Sequence, residues 1–465
     1  MYGFRSGIAS MPATLWLRRV DRGGGPIYLA ILRALEAAIA DGELQAGEQL
    51  PPQRAVAAAL GVDFTTVTRA YAAARARGLV EGAVGRGTYV AGRAAEDEAG
   101  LVDLSMNLPP PPKGLNLGKL LKETAGAVLD RTDPQALMAY HPPGGSLAQR
   151  AAGAVWLAPG QGEVSPDRVV VAPGAQAALA AILAMLASRG DAVIVEPLTF
   201  PGVRSVAALL GLRLVACPVD DEGFDPESLA RLCAEHAPRA IYCIPTHQNP
   251  TAATIGEGRR REIAAVARAA KVPIIEDDAY GRLPSTPPPA IAAFAPELVW
   301  RLATTAKALS PGLRIAYVAA PDLAAAQRLA EALRATTLMP APLGAAIVTA
   351  WIREGTADKV LAAVRAEAVE RQALARQILP AAKGSPEAIH IWLDTPDHWP
   401  GERLRDTAQS RGLSLVTADA FAAAPDARAG LRISLGGPAK QSVLAQALRG
   451  VAAILGGEPT GRMVV

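Results

Sequence analysis

A single lysine, Lys307, stands in the stretch TTAKALSPGLR (304–314), among small residues and ahead of Pro-Gly and Arg314. A lysine amine does chemistry only where its surroundings disfavour its charge; elsewhere it is a surface cation. Other groups with chemical capacity recur at one kind of place, just after a short apolar run. RVVVA (168–172) is followed by Gly174, Ala175 and Gln176, and AVIVE (192–196) by Phe200. AIYCI (240–244) leads to Asn249, held before a proline, and VPIIE (272–276) to Asp277, Asp278 and Tyr280. LVWRL (298–302) leads to Thr304, Thr305 and Lys307, with Arg314 beyond. Taken singly, each has an ordinary reading: a strand-to-helix turn, a core aromatic, a solvated acidic turn, a surface amine. A metal at Glu276, Asp277 and Asp278 is not expected, since no histidine lies close in sequence.

Taken together, these residues supply what pyridoxal 5′-phosphate requires. An amine forms the imine, and a carboxylate keeps the pyridine nitrogen protonated as an electron sink. Donors hold the ring oxygen and an aromatic stacks on the ring. A helix start with an arginine takes the phosphate.

The elements that must position them are legible as a pattern. Seven short runs (168–172, 192–196, 212–216, 240–244, 272–276, 298–302 and 314–320) alternate with helical stretches, and each is apolar throughout rather than on alternate residues. That predicts a mostly parallel sheet covered on both faces. Ligands of such sheets bind beyond the carboxyl ends of the strands, which is where the reactive residues fall.

The first fifth of the chain reads differently. Residues 26–41 place Ile27, Ile31, Leu35 and Ile39 on one helical face. PPQRAVAAALG (51–61) predicts a second helix, started by proline and stopped by glycine, and residues 62–78 a third, with Asp63 as its N-cap. LVEGAVGRGTYVAG (79–92) predicts a hairpin. Three helices and a hairpin, with a tight turn between helices two and three, make a winged helix-turn-helix. Its third helix should enter the major groove and offer Thr65, Thr66, Thr68 and Arg69; Arg54 suits a backbone contact, and Arg86 and Gly87 form the tip of the wing. The polar stretch RAAEDEAG (93–100) reads as a linker, and LPPPP (108–112) as a stiff extended piece.

Composition is consistent with this division. The 465 residues suffice for roughly three units. Residues 1–92 hold ten arginines, no lysine and seven acids, so the whole net charge of +3 lies there, compatible with phosphate binding. Three cysteines without metal spacing, and no signal-peptide pattern, lead us to expect a reducing, cytoplasmic setting. No uninterrupted apolar window of membrane-spanning length is visible.

Residues 50–90 resemble the GntR-type winged helix over their full length, except that Phe64 and Thr68 stand where that family often has basic residues. Residues 104–455 resemble fold-type I aminotransferases. That resemblance makes Lys307 the Schiff-base lysine and pairs Asp277 with the pyridine nitrogen. It puts Asn249 and Tyr280 on the ring oxygen and stacks Phe200 on the ring. It assigns the phosphate to Ala175, Gln176, Thr304 and Arg314, with Ala175 standing where a hydroxyl residue is common. GLRISLG (430–436) resembles the segment whose arginine grips a substrate carboxylate, here Arg432. MAYHPPGGSLAQR (138–150) resembles the segment whose tyrosine, here Tyr140, reaches the other subunit's site.

A GntR-type head on an aminotransferase-like body resembles the MocR or GabR-like regulators. The expected organisation is an α+β winged helix-turn-helix domain (24–92), a linker (93–103) and an α/β fold-type I pyridoxal-phosphate-dependent transferase domain (104–465), with a large part at about 150–340 and a small part from the flanking segments. The resemblance implies a homodimer, with heads exchanged between subunits in some members, bound to double-stranded operator DNA. Three roles then stand open: sensing an amine-bearing metabolite that displaces Lys307 from the imine, sensing the cofactor itself, or catalysing transamination with a DNA-binding head attached.

Overall fold

A computed structural model describes residues 12–21, 23, 25–41, 43–44, 47–83, 87–90, 101–424 and 427–457. The chain divides into two units, one of residues 1–96 with 116–120 and one of the remainder.

The first unit contains helices Ile27–Ala40, Gln53–Leu60 and Phe64–Ala76 and the antiparallel strands Val80–Ala83 and Gly87–Val90. Gly61 ends the second helix in the left-handed conformation that favours glycine. Asp63 caps the third, its carboxylate accepting from the Thr65 amide at 2.8 Å. Ile31 and Leu35 are buried, with Ile27 and Ile39 partly so, as the helical spacing predicts. The same core takes in Trp16 and Leu17 from the short helix Pro12–Arg19, ahead of the start expected at 24. Arg19 fastens that segment to Asp41 and Glu43. The expected linker at 93–100 lies outside the described residues.

In the second unit all seven apolar runs are strands of one sheet. Its order is Val169–Ala172, Ala316–Ala319, Val299–Thr304, Ile274–Asp277, Ala240–Cys243, Ala192–Val195, Arg213–Ala216. Ala316–Ala319 runs antiparallel to both neighbours and the remaining pairs are parallel. Six of the seven strands are buried at every position, which is why their sequences do not alternate; only the edge strand Arg213–Ala216 is open to solvent. Arg314, just before the antiparallel strand, therefore lies at the same sheet edge as residues that follow the parallel ones.

A second, three-stranded antiparallel sheet joins His390–Asp394, Gly430–Ser434 and Val416–Thr417. Val102–Asp103 pairs with Leu413–Ser414, so chain just after the head segment belongs to this smaller layer. Backbone bonds from Thr199 to Phe421 and from Ala423 to Pro197 tie the smaller layer to the large sheet's carboxyl edge.

Candidate functional site

The acidic triplet at the carboxyl end of the central strand does not form a solvated turn: Glu276, Asp277 and Asp278 are all buried, each with its own surroundings. Glu276 accepts from the amides of Ile291 and Ala292 at 2.8 and 3.0 Å. Asp278 pairs with Arg301 at 2.6 Å; burial works to raise its carboxyl, but Arg301 and Arg260 outweigh it and hold it below the usual range. Asp277 has no cation in hydrogen-bonding contact. Burial pushes it up to about 6, against a 2.7 Å hydrogen bond from the Tyr242 hydroxyl to Oδ2. Its Oδ1 is buried and has no hydrogen-bond partner.

Lys307 follows the next strand. Its Nζ donates to the Asn107 carbonyl at 2.7 Å. Burial, then the positive charge of Arg432, bring its pKa down to about 8; Asp277 pulls the other way and Arg314 adds to the lowering. A buried ammonium is disfavoured for the same reason that a buried carboxylate is.

Around these two groups lies a connected hydrogen-bond system. Arg432 donates to Asn249 Oδ1 at 2.7 Å and to the Ser105 carbonyl, and its guanidinium lies 5.0 Å from the Phe421 ring centroid. Its Nε is buried without a partner. Since Asn249 Oδ1 is taken, the amide nitrogen is the group Asn249 has left to offer. Asn107 Nδ2 donates to the Tyr280 oxygen at 3.0 Å and meets His390 Nδ1 at 3.1 Å. His390 Nε2 lies 3.0 Å from the Gln248 carbonyl, which can only accept. His390 must therefore carry its proton on Nε2 and accept at Nδ1. Burial, then Arg432, bring His390 down to about 3, so it stays neutral. Tyr280, pushed up to about 12 by burial, keeps its own proton to donate.

The phosphate-binding candidates meet at the start of helix Ala175–Leu186. Gly174 precedes it with φ +101°, and a Cβ there would come within 2.7 Å of the Arg314 guanidinium. Gln176 donates to the Gly202 carbonyl at 3.0 Å; a Cβ on Gly202 would strike the Phe200 ring at 2.1 Å. A cavity of about 490 Å³ is lined by Gln176 and Arg314 among others. The Thr304 hydroxyl donates to the Ile315 carbonyl at 3.3 Å and accepts from the Ala306 amide at 3.1 Å.

Lys307, Asp277, Asn249, Tyr280, Arg432 and Arg314 are thus gathered, with Ala175, Gln176 and Phe200 beside Arg314. Tyr140 is not brought in; it is 82 % exposed. Sequence reasoning missed Asn107, Tyr242 and His390. Asn107 precedes a proline run and lies 200 positions from Lys307, so no local pattern marks it.

On the head, Arg54, Thr65, Thr68 and Arg69 are exposed and Thr66 is half-buried. The Thr65 amide and hydroxyl are both engaged by Asp63. The Thr68 hydroxyl donates within 2.8 Å of Gln53 Oε1 and 3.0 Å of the Phe64 carbonyl. The Arg69 guanidinium lies 4.5 Å from the Tyr28 ring centroid. Gly87 opens the second wing strand with φ +112°; Arg86 lies outside the described residues.

Residues 99–439 match the family model described as aminotransferase class I and II, and residues 27–90 the one described as bacterial regulatory proteins, gntR family. The chain is 30 % identical over 417 residues to the uncharacterized HTH-type transcriptional regulator YdeF of Bacillus subtilis, covering 87 % of this chain and 89 % of that protein. It is 29 % identical over 332 residues to the probable rhizopine catabolism regulatory protein MocR of Rhizobium meliloti, covering 64 % and 66 %. In fold it is similar to α-aminoadipate aminotransferase LysN of Thermus thermophilus, with a TM-score of 0.71 at 23 % identity, covering 83 % of this chain and 98 % of that one. A helix-turn-helix head and a transferase body in one chain, shared with regulators along most of their length, place it: the protein belongs to the GntR-type transcriptional regulators that carry an aminotransferase class I and II domain.

Proposed function

We propose that this regulator holds pyridoxal 5′-phosphate at Lys307 and changes its grip on operator DNA in response to an amine-bearing metabolite or to the cofactor itself. The observation that carries the reading is Asp277 Oδ1, a buried carboxylate oxygen without a partner near an amine whose pKa is brought down to about 8. A protonated ring nitrogen is the kind of donor that oxygen lacks. The glycines support the same group: Gly174 lets the Arg314 guanidinium lie against the start of the helix, where an anion would be held, and Gly202 leaves room for the Phe200 ring.

When bound, the cofactor supplies an aldehyde that condenses with amines and a protonated ring that draws electrons. The rest is done by this chain. Tyr242, donating to Oδ2, favours the charged form of Asp277 against burial. Asn249 and Tyr280 each present a donor, because Arg432 and Asn107 occupy their acceptor oxygens. Ala175, Gln176 and Arg314 would hold the phosphate, joined by Thr304 once its hydroxyl proton turns from the Ile315 carbonyl, and Phe200 would stack on the ring. The free Nε of Arg432 takes an effector carboxylate or similar anion. Tyr140, exposed on its own chain, serves the partner's site in a homodimer whose heads bind the operator through Arg54, Thr65, Thr66, Thr68, Arg69, Arg86 and Gly87. An effector moves the equilibrium between two arrangements only by its difference in affinity for them.

The test is absorbance with trapping. Protein loaded with pyridoxal 5′-phosphate should absorb in the visible and retain the label after borohydride, and Lys307→Ala should do neither. Both should still shift a fragment of the gene's own upstream region over nonspecific competitor. Survival of the trapped label in Lys307→Ala would remove the anchor; failure of both proteins to shift DNA would remove the regulator. Product formed from amino donors and oxo acids in sustained molar excess over protein would replace sensing by turnover.

A further inference from the structure

The third helix of a helix-turn-helix reads bases with its N-terminal residues. In this chain two of the three threonine hydroxyls near that end, those of Thr65 and Thr68, are committed internally. Asp63 engages both the amide and the hydroxyl of Thr65, and the Thr68 hydroxyl points to Gln53 and back to the Phe64 carbonyl. What the first turn presents outward is an aromatic ring. Phe64, the first residue of the helix, is 44 % exposed, although Phe is a residue that folding ordinarily buries. The Arg54 guanidinium, from the start of the preceding helix, lies 5.9 Å from the ring centroid. That contact covers one side of the ring with a weakly hydrated cation and leaves part of the apolar surface to solvent.

A ring in this position has one good partner in the major groove. Guanine, cytosine and adenine present polar edges there, whereas thymine alone presents a C5 methyl group. We propose that Phe64 is a specificity-determining residue that reads a thymine through its C5 methyl, with Arg54 holding the ring. The cation beside the ring also draws the assembly toward the phosphates, so one pair of residues combines an apolar base contact with electrostatic attraction. This inference rests on the DNA-binding reading of the head and adds to it a base preference.

The experiment uses the full-length protein. Duplexes are selected from a randomised library, and each thymine of the selected sequence is then replaced singly by deoxyuridine, which removes only the methyl group. Wild-type binding should weaken roughly fourfold at one thymine per half-site, the equivalent of about 0.8 kcal/mol for one buried methyl. In Phe64→Ala that penalty should vanish and thymine and uracil should bind alike. Phe64→Leu, which keeps an apolar surface, should retain part of it. Phe64 is not in the head's core, so the melting temperature of the variants should match wild type. Two outcomes overturn the proposal and leave DNA binding intact: a selected sequence at which no thymine-to-uracil change matters, or a methyl penalty that persists in Phe64→Ala. Failure to select any sequence would instead overturn the DNA-binding reading, and this inference with it.

Discussion

On the proposed function, Lys307 sets the pH at which the protein captures an aldehyde. An ordinary lysine is neutral in roughly one molecule in a few thousand at pH 7. Burial, Arg432 and Arg314 all disfavour the ammonium and outweigh Asp277, bringing the pKa to about 8. At that value about one molecule in ten carries a free amine at pH 7. The sign follows directly: the neutral amine is the nucleophile, so lowering the pKa enlarges the reactive fraction near neutrality. The rate at which apo-protein takes up pyridoxal 5′-phosphate, followed by visible absorbance in stopped flow, should rise about tenfold per pH unit below pH 8 and flatten above it. A rise continuing to pH 10 would mean that the amine is not held as the structure places it. The same residue scale shows why single letters mislead. Glu276, Asp277 and Asp278 look equivalent in sequence, yet helix amides claim one and Arg301 another, leaving Asp277 with an unpaired oxygen and no arginine to hold its charge.

At the scale of elements, the turn into helix Ala175–Leu186 is closely constrained. Gly174 has φ +101°, and its absent side chain leaves the space beside Arg314. Gly174→Ala meets both strain, of order 1–2 kcal/mol or more, and displacement of the guanidinium. The substitution should weaken cofactor binding about tenfold or more in a spectral titration while the far-ultraviolet circular dichroism stays unchanged. Unaltered affinity would show that this helix start does not hold the phosphate. The elements themselves were largely legible. Strands buried on both faces must be apolar throughout, and all seven such runs proved to be strands of one sheet. Their lateral order was not, because it depends on contacts far apart in sequence such as Ala316 with Ala172; the reversal of Ala316–Ala319 went unassigned although its short connection from Val299–Thr304 favours an antiparallel pair. Candidate residues at strand ends were legible for the same reason as the strands: a parallel sheet brings its carboxyl ends to one edge. Asn107 was not, since it reaches the site from a segment with no strand or helix signal, and its importance lies in two hydrogen bonds to residues 173 and 283 positions away. The head shows the converse. Its helices and caps follow from local pattern, but Thr65 and Thr68, which composition offers as base readers, are occupied by their own neighbours. Trp16 and Leu17 join its core from a short segment ahead of the expected domain start.

At the scale of the whole molecule, a head that binds DNA and a body that binds a small molecule form a regulator only if the two events are coupled. Coupling is a free energy, and it is reciprocal. If an effector changes operator affinity by some factor, operator DNA must change effector affinity by the same factor. Typical couplings of 1–3 kcal/mol correspond to roughly 5- to 150-fold. The size of that factor separates sensing from turnover more cleanly than any pocket residue can, because both proposed uses would draw on Lys307, Asp277 and Arg432. A transaminase with an uncoupled DNA-binding head meets the same symmetry with a factor of one: its pocket binds amines with equal affinity whether or not the head is engaged. The measurement is a pair of titrations on pyridoxal-phosphate-loaded protein. In one, operator binding is followed at increasing amine. In the other, the spectral change caused by the amine is followed with and without saturating operator duplex. For a sensor the two fold-changes should agree and exceed about fivefold, and Arg432→Ala should reduce both together for a carboxylate-bearing amine. Two fold-changes near one, for an amine that alters the spectrum, would show that the body binds its ligand without informing the head.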